Sequence, residues 1–118
     1  MKGELRVIHV GGDETIQDLT APPTLDVLQA AVGGYIEEIP YFNSVKWRGE
    51  KTIQRCVAFG NEEGKLRKLK FNWRATDLWD AAFQRATRVR PDPDFLVGDI
   101  AIVSGDQEFM RALQGDDE

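Results

Sequence analysis

Polar and apolar residues alternate across residues 4–10, with Leu5, Val7 and His9 on one side and Arg6, Ile8 and Val10 on the other, which is the period of a β-strand. Gly11 and Gly12 end it. Residues 21–23 (APP) exclude helix locally, so Thr24 is placed to cap a helix of about two turns. Leu25, Leu28 and Val32 form its apolar stripe, and Gly33 and Gly34 mark its end. Residues 35–42 (YIEEIPYF) read as a strand that ends or runs along an edge at Pro40, which lacks the N–H a ladder needs. The turn-like RGEK at 48–51 then joins residues 43–47 to a strand in residues 51–59 as a hairpin.

Asn61, Glu62, Glu63 and Gly64 match a type I turn followed by a left-handed glycine, which predicts residues 65–71 (KLRKLKF) as the returning strand. Asn72 is a good cap for a long amphipathic helix over 73–87, since Ala75, Leu78, Trp79, Ala82, Phe83 and Ala86 recur at spacings of three and four. Trp79 shares that stripe with Phe83 and is the tryptophan expected in the core. Pro91 and Pro93 cannot continue a helix. Residues 99–105 (DIAIVSG) read as a buried strand, and Ser104 and Gln107 stand at capping-box spacing before a last short helix. Short strands mixed with helices, without a strict βαβ rhythm, predict an α+β fold. One domain over 1–113 is expected, with a small mainly antiparallel or mixed sheet, two or three helices and a frayed acidic tail at 114–118.

A length of 118 residues suits one core, and 42% hydrophobic against 30% charged residues is enough apolar surface to fold. The single Cys56 has no partner for an internal disulfide, and together with the want of a signal-like or membrane-length apolar run it predicts a cytoplasmic protein. The net charge of −5 is unevenly spread. Residues 1–45 carry two basic and seven acidic side chains, residues 46–90 twelve and five, and residues 91–118 one and eight. Such segments either neutralise one another in the fold or leave an interaction surface.

The chemistry-bearing residues are sparse. His9 is the only histidine, and no spacing joins it to Ser44, Ser104 or Cys56 as a nucleophilic set, so a structural role is expected. One His and one Cys are too few for a transition-metal site, and Asp92, Asp94 and Asp99 lack the offsets of a calcium loop. No metal or cofactor is expected. Glu62 and Glu63 are adjacent and diverge on a turn, unlike paired catalytic carboxylates. The glycine pairs of VGGYI and HVGGDE have neither the Walker lysine nor dinucleotide spacing. Lys65, Arg67, Lys68, Lys70 and Arg74 fall within ten acid-free residues, interleaved with Phe71 and Trp73, as a phosphate-tracking surface requires. Strand alternation would split them over two faces, the alternative being an ordinary solvated surface.

Three blocks, VGGYIEEIP, FGNEEGKLRKLKFNWRATDL and GDIAIVSGD, resemble a small domain of unknown function found in proteins of bacteriophages, plasmids and other mobile elements. The matching positions are Gly33 to Glu37 with Pro40, Asn61 to Lys65 with Asn72 and Ala75, and Gly98-Asp99 with Gly105-Asp106. They organise most of residues 24–106; the chain departs in its long helix and its acidic tail. The resemblance implies a cytoplasmic mobile-element protein and brings no reaction or catalytic residue. The reading is a non-enzymatic interaction module docking on a host or phage protein, counter-defence being one form, with Trp47 and Trp73 among the candidate aromatic anchors beside Tyr41, Phe42 and Trp79, two or three of which must fill the core instead. The alternative is nucleic-acid or nucleotide-phosphate binding through residues 65–74. Oligomeric state stays open.

Overall fold

The computed structural model describes residues 1–90 and 94–115. Nine elements follow in order: β1 (Gly3–Ile8), β2 (Glu14–Leu19), α1 (Leu25–Val32), β3 (Ile36–Glu38), β4 (Ser44–Val45), β5 (Gln54–Asn61), α2 (Trp73–Thr87), β6 (Ile100–Gly105) and α3 (Gln107–Leu113). Strands pair in the order β2-β1-β6-β5-β3, every ladder antiparallel, with the short β4 also on β5. This is the α+β single domain the pattern predicts.

The period-two alternation of each strand sorts side chains onto two cores. Leu5 and Val7 of β1, Val57 of β5, and Ala101 and Val103 of β6 face α1 and α3, packing with Leu28, Val32, Phe109 and Met110. Ile8, Cys56, Ala58, Ile100 and Ile102 face the other way, onto α2 and the 39–47 segment, with Phe42, Val45, Trp47, Ala75 and Ala82. β6 lies between β1 and β5 with both faces covered, which is why it reads as an unbroken apolar run rather than an alternating one.

The caps of the first two helices stand where the sequence places them. Thr24 accepts from the Val27 N–H, Gly33 closes α1 in the left-handed region at φ 77°, and Asn72 caps α2 by accepting from the Ala75 N–H. At α3 the cap is Asp106, not Ser104. Asp106 accepts from the Phe109 N–H at 2.8 Å, while Ser104 is buried inside β6. The ladder runs on through residue 105, so the first residue free to cap lies two positions later.

β2 is an element the pattern does not predict. Its six residues hold only Ile16 and Leu19 as large apolar side chains, three apart rather than two, and Ile16 is half exposed. It forms because it folds back on β1 through a tight turn, in which the His9 and Gly12 N–H groups donate to Asp13 and His9 carbonyls and Gly12 takes φ 95°.

The returning strand expected at residues 65–71 is not formed. Asn61–Gly64 is a turn, the Gly64 N–H donating to Asn61 O at 3.0 Å, but Gly64 does not adopt positive φ. Residues 62–68 continue as successive turns, with Arg67 N–H on Glu63 O, Lys68 N–H on Lys65 O and the left-handed φ of 55° at Lys68. The physical reason is that β5 has no free edge to offer. β6 occupies one side and β3 with β4 the other. The strand faces expected for the basic run therefore do not exist.

Gln114 closes α3 and accepts from Arg55 at 2.9 Å, so the C-terminal segment is tied down this far. Residues 116–118 of the expected frayed tail, and Pro91, Asp92 and Pro93, lie outside the described residues. Among the described residues no helix is long and apolar enough to cross a membrane.

Candidate functional site

The turn that replaces the returning strand builds one wall of a groove of about 260 Å³ at the β3 end of the sheet. Its floor is set by β5 and β6. Gly60 belongs to the strand face that carries Ala58 and Cys56, and a Cβ there would stand 3.3 Å from Ile100 Cδ1 and 3.7 Å from Ile39 Cδ1. The missing side chain leaves the depression open. Glu37, opposite Gly60 in the β3–β5 ladder, and Glu62 supply carboxylates at one side; Leu66, Trp79 and Phe95 supply apolar walls.

Each wall is held by a specific bond. Asn61 is buried and bridges two segments, donating from Nδ2 to Val32 O at 3.2 Å and accepting the Glu63 N–H on Oδ1 at 2.9 Å. The Glu62 N–H donates to Tyr35 O at 2.8 Å. The Trp79 indole N–H donates to Pro40 O at 2.8 Å, which joins α2 to the segment after β3. Leu69 locks the base of the turn, fitting between Gly64 and Gly98, where a Cβ at Gly98 would come within 2.8 Å of Leu69 Cδ1.

Lys65 lies at the groove mouth with its ammonium 2.7 Å from Asp94 Oδ1 and 4.6 Å from the centre of the Phe95 ring. The hydrogen bond from Lys65, with the Phe95 N–H second, holds the Asp94 carboxyl below the ordinary aspartate range. Phe95 in turn meets Phe71 edge to face at 6.0 Å. Leu66 is 80% exposed, Phe71 52% and Phe95 46%. These three form an apolar rim that the sequence does not announce, because residues 65–71 were expected to form a strand.

The remaining basic residues do not assemble with Lys65. The Arg67 guanidinium approaches Gly33 O at 3.4 Å, and Lys68 and Lys70 are exposed without an ion pair among the described residues. Arg74 lies at the opposite edge of the sheet, where its Nη1 donates to Gly12 O at 3.1 Å and stands 2.6 Å from Glu14 Oε2, an ion contact without hydrogen-bond alignment. Glu14 also binds Arg6, which holds Glu4 and lies 3.9 Å over the Trp47 ring. Trp73 is half exposed against Gly12.

Two expected anchors are corrected by burial. Trp47 is 3% exposed and Phe42 2%, so both are core residues and neither presents a ring for docking. Trp79, expected in the core, packs against its edge, partly buried, and also lines the groove. The 39–47 segment covers a sheet face, and its apolar side chains point in; α2 covers less of that face than its stripe suggests.

A second constellation, invisible in sequence because its members are 6 and 90 residues apart, surrounds His9. The imidazole Nδ1 is 2.9 Å from Asp99 Oδ2 and Nε2 is 2.7 Å from Thr15 Oγ1, while Asp99 Oδ1 accepts the Val10 N–H at 3.1 Å. In the neutral imidazole a carboxylate at Nδ1 selects the tautomer that donates there, which leaves Nε2 to accept from the threonine hydroxyl. The order of groups is that of a hydroxyl–imidazole–carboxylate relay. Its carboxylate is 36% exposed, unlike the buried orienting aspartate of such relays, and its direct consequence is to pin the β1–β2 turn to the start of β6.

Cys56 is the one thiol and is buried, donating to Phe42 O at 3.6 Å; burial pushes its pKa up to about 12, so it is not a reactive nucleophile.

Neither curated proteins nor solved structures gave a match to the chain. A family model described as a domain of unknown function, DUF3846, matches residues 5–115, which takes in both cores and all of the sheet but the first two residues of β1, and the chain belongs to that family.

Proposed function

We propose that this chain is a non-enzymatic docking module that binds another protein through the groove bounded by β3, the 61–69 turn and residues 94–97. Its setting is the cytoplasm of a cell carrying a phage or other mobile element, where the partner is a host or phage protein and inhibition of a host defence is one form the binding would take. The observation that carries the reading is the exposed apolar rim. Leu66, Phe71 and Phe95 leave large side chains in water beside a preformed depression, an arrangement that an isolated domain has no reason to maintain. A volume of about 260 Å³ is below the roughly 300–1,000 Å³ of small-molecule sites and suits an inserted side chain.

A second reading, nucleic-acid or phosphate binding, is favoured by exposed Lys68 and Lys70 in the segment that carries the half-exposed Phe71. One experiment separates the two. Tagged wild-type protein and the Leu66→Ser and Phe95→Ser variants are used to capture partners from a bacterial lysate, with and without nuclease. Docking predicts a stoichiometric protein that survives nuclease and is lost with either variant. Capture that disappears with nuclease, falls steeply with salt and ignores both variants would replace docking by the phosphate reading.

A further inference from the structure

The chemistry of the groove narrows what enters it, and the inference rests on the docking reading. We propose that its occupant is a cationic side chain on an apolar stem, an arginine of the partner protein, whose guanidinium is held by Glu37 and Glu62 while the stem lies against Leu66 and Trp79.

Charge complementarity selects the sign. Glu37 and Glu62 are both exposed, line the groove and make no ion pair among the described residues. The six remaining residues of the chain are proline or acidic, so none of them supplies the missing cation. The one lysine at the site, Lys65, is already matched by Asp94. The groove thus presents two uncompensated carboxylates, placed by the β3–β5 register and by the Asn61 turn, at the rim of an apolar floor made by Ile39 and Ile100 beneath Gly60.

Lys65 shows that this rim accommodates an alkyl cation, with its ammonium on the Phe95 ring and its charge on Asp94. An incoming side chain would use the same pairing of aromatic surface and carboxylate on the neighbouring wall. Arginine suits it better than lysine. Its planar fork engages two carboxylates and stacks on an aromatic surface, and it loses less hydration than an ammonium.

The test uses the intact chain, labelled with ¹⁵N, titrated with N-acetyl-L-arginine methylamide. N-acetyl-L-norleucine methylamide serves as the apolar control and N-acetyl-L-glutamate methylamide as the anionic one. The arginine probe is expected to saturate in the millimolar range, moving the Glu62 and Leu66 amides and the Trp79 indole N–H together. The double variant Glu37→Gln/Glu62→Gln should bind it about fivefold more weakly, as expected from two exposed charge pairs. Both substitutions lie on exposed side chains, and an unchanged melting temperature confirms the fold. Equal binding of norleucine and arginine, tighter binding of glutamate, no saturable shift, or an unaffected double variant would each overturn the proposal. If the arginine probe fails while Leu66→Ser still abolishes partner capture, docking stands and the occupant is wrong; if partner capture also ignores Leu66→Ser, both readings fall.

Discussion

Asn72 is the residue whose loss the structure allows to be worked out most closely. It is fully buried; its Oδ1 accepts the Ala75 N–H at 3.1 Å, and its Nδ2 donates to both Ile8 O at 2.8 Å and Gly98 O at 2.9 Å. One side chain therefore caps α2, ties it to the end of β1 and fixes the loop before β6. Asn72→Ala removes a helix cap worth about 1 kcal/mol. It also removes two buried hydrogen bonds, to Ile8 O and Gly98 O, at about 1 kcal/mol or more each. The total, about 3–4 kcal/mol, is a large share of the roughly 5–15 kcal/mol of a typical domain and corresponds to a melting temperature lower by about 12–16 °C. Thr24→Ala, which removes one exposed bond of 3.3 Å at the start of α1, is the control at about 0.5–1 kcal/mol.

Asn72→Asp makes the test sharper. Aspartate caps a helix as well as asparagine does, but its second oxygen would face two carbonyls and carry no proton to give them. Such a carboxyl has its folded pKa raised above the unfolded value of about 3.9, so the variant is closest to wild type below pH 4 and loses stability as the pH rises. Urea unfolding followed by tryptophan fluorescence and circular dichroism at pH 3.5 and pH 7 measures all four proteins. If Asn72→Asp equals wild type at pH 7, or Asn72→Ala costs no more than Thr24→Ala, the two carbonyl bonds contribute nothing and the reasoning is wrong.

Three further outcomes are expected. Gly105→Ala, whose Cβ would overlap the Phe109 ring and lie 2.6 Å from Lys2 O, should destabilise by about 1–3 kcal/mol, and Phe109→Leu should recover part of that loss in a double-mutant cycle of thermal unfolding. Asp106 is held below the usual aspartate range by the Phe109 N–H first and the Lys2 N–H second, so its contribution is present above about pH 4 and is lost as the pH falls through the depressed folded value; the destabilisation by Asp106→Ala in urea should shrink markedly between pH 6 and pH 2. Cys56, 2% exposed and with its pKa near 12, should resist a disulfide reagent at pH 8 until denaturant unfolds the chain, and rapid labelling of the native protein would contradict the packing.

The sequence by itself determined the parts whose physics is local. α1 and α2 are bounded by Thr24, Gly33 and Asn72, whose side chains or backbone freedom satisfy helix ends without help from the rest of the chain, and their apolar stripes repeat at helical spacing. β1 and β6 announce themselves by alternation and by an unbroken apolar run. The Asn61–Gly64 turn is equally local, since Asn61 Oδ1 takes the Glu63 N–H two residues on.

What followed from tertiary structure was whatever depended on which edges and faces were already occupied. Residues 65–71 have the alternation of a strand, but β5 is paired on both sides, so the segment closes on itself in turns and lifts Leu66 into solvent. β2 lacks strand patterning and exists because β1 has an open edge at the end of a two-glycine turn. Trp47 is buried and Trp79 only partly so because coverage of one sheet face is divided between α2 and the 39–47 segment. The groove combines Glu37, Gly60, Glu62 and Phe95, and the His9 constellation joins Thr15 to Asp99. No periodicity relates residues brought together by strand order, and strand order is set by competition among edges for hydrogen bonds across the whole sheet.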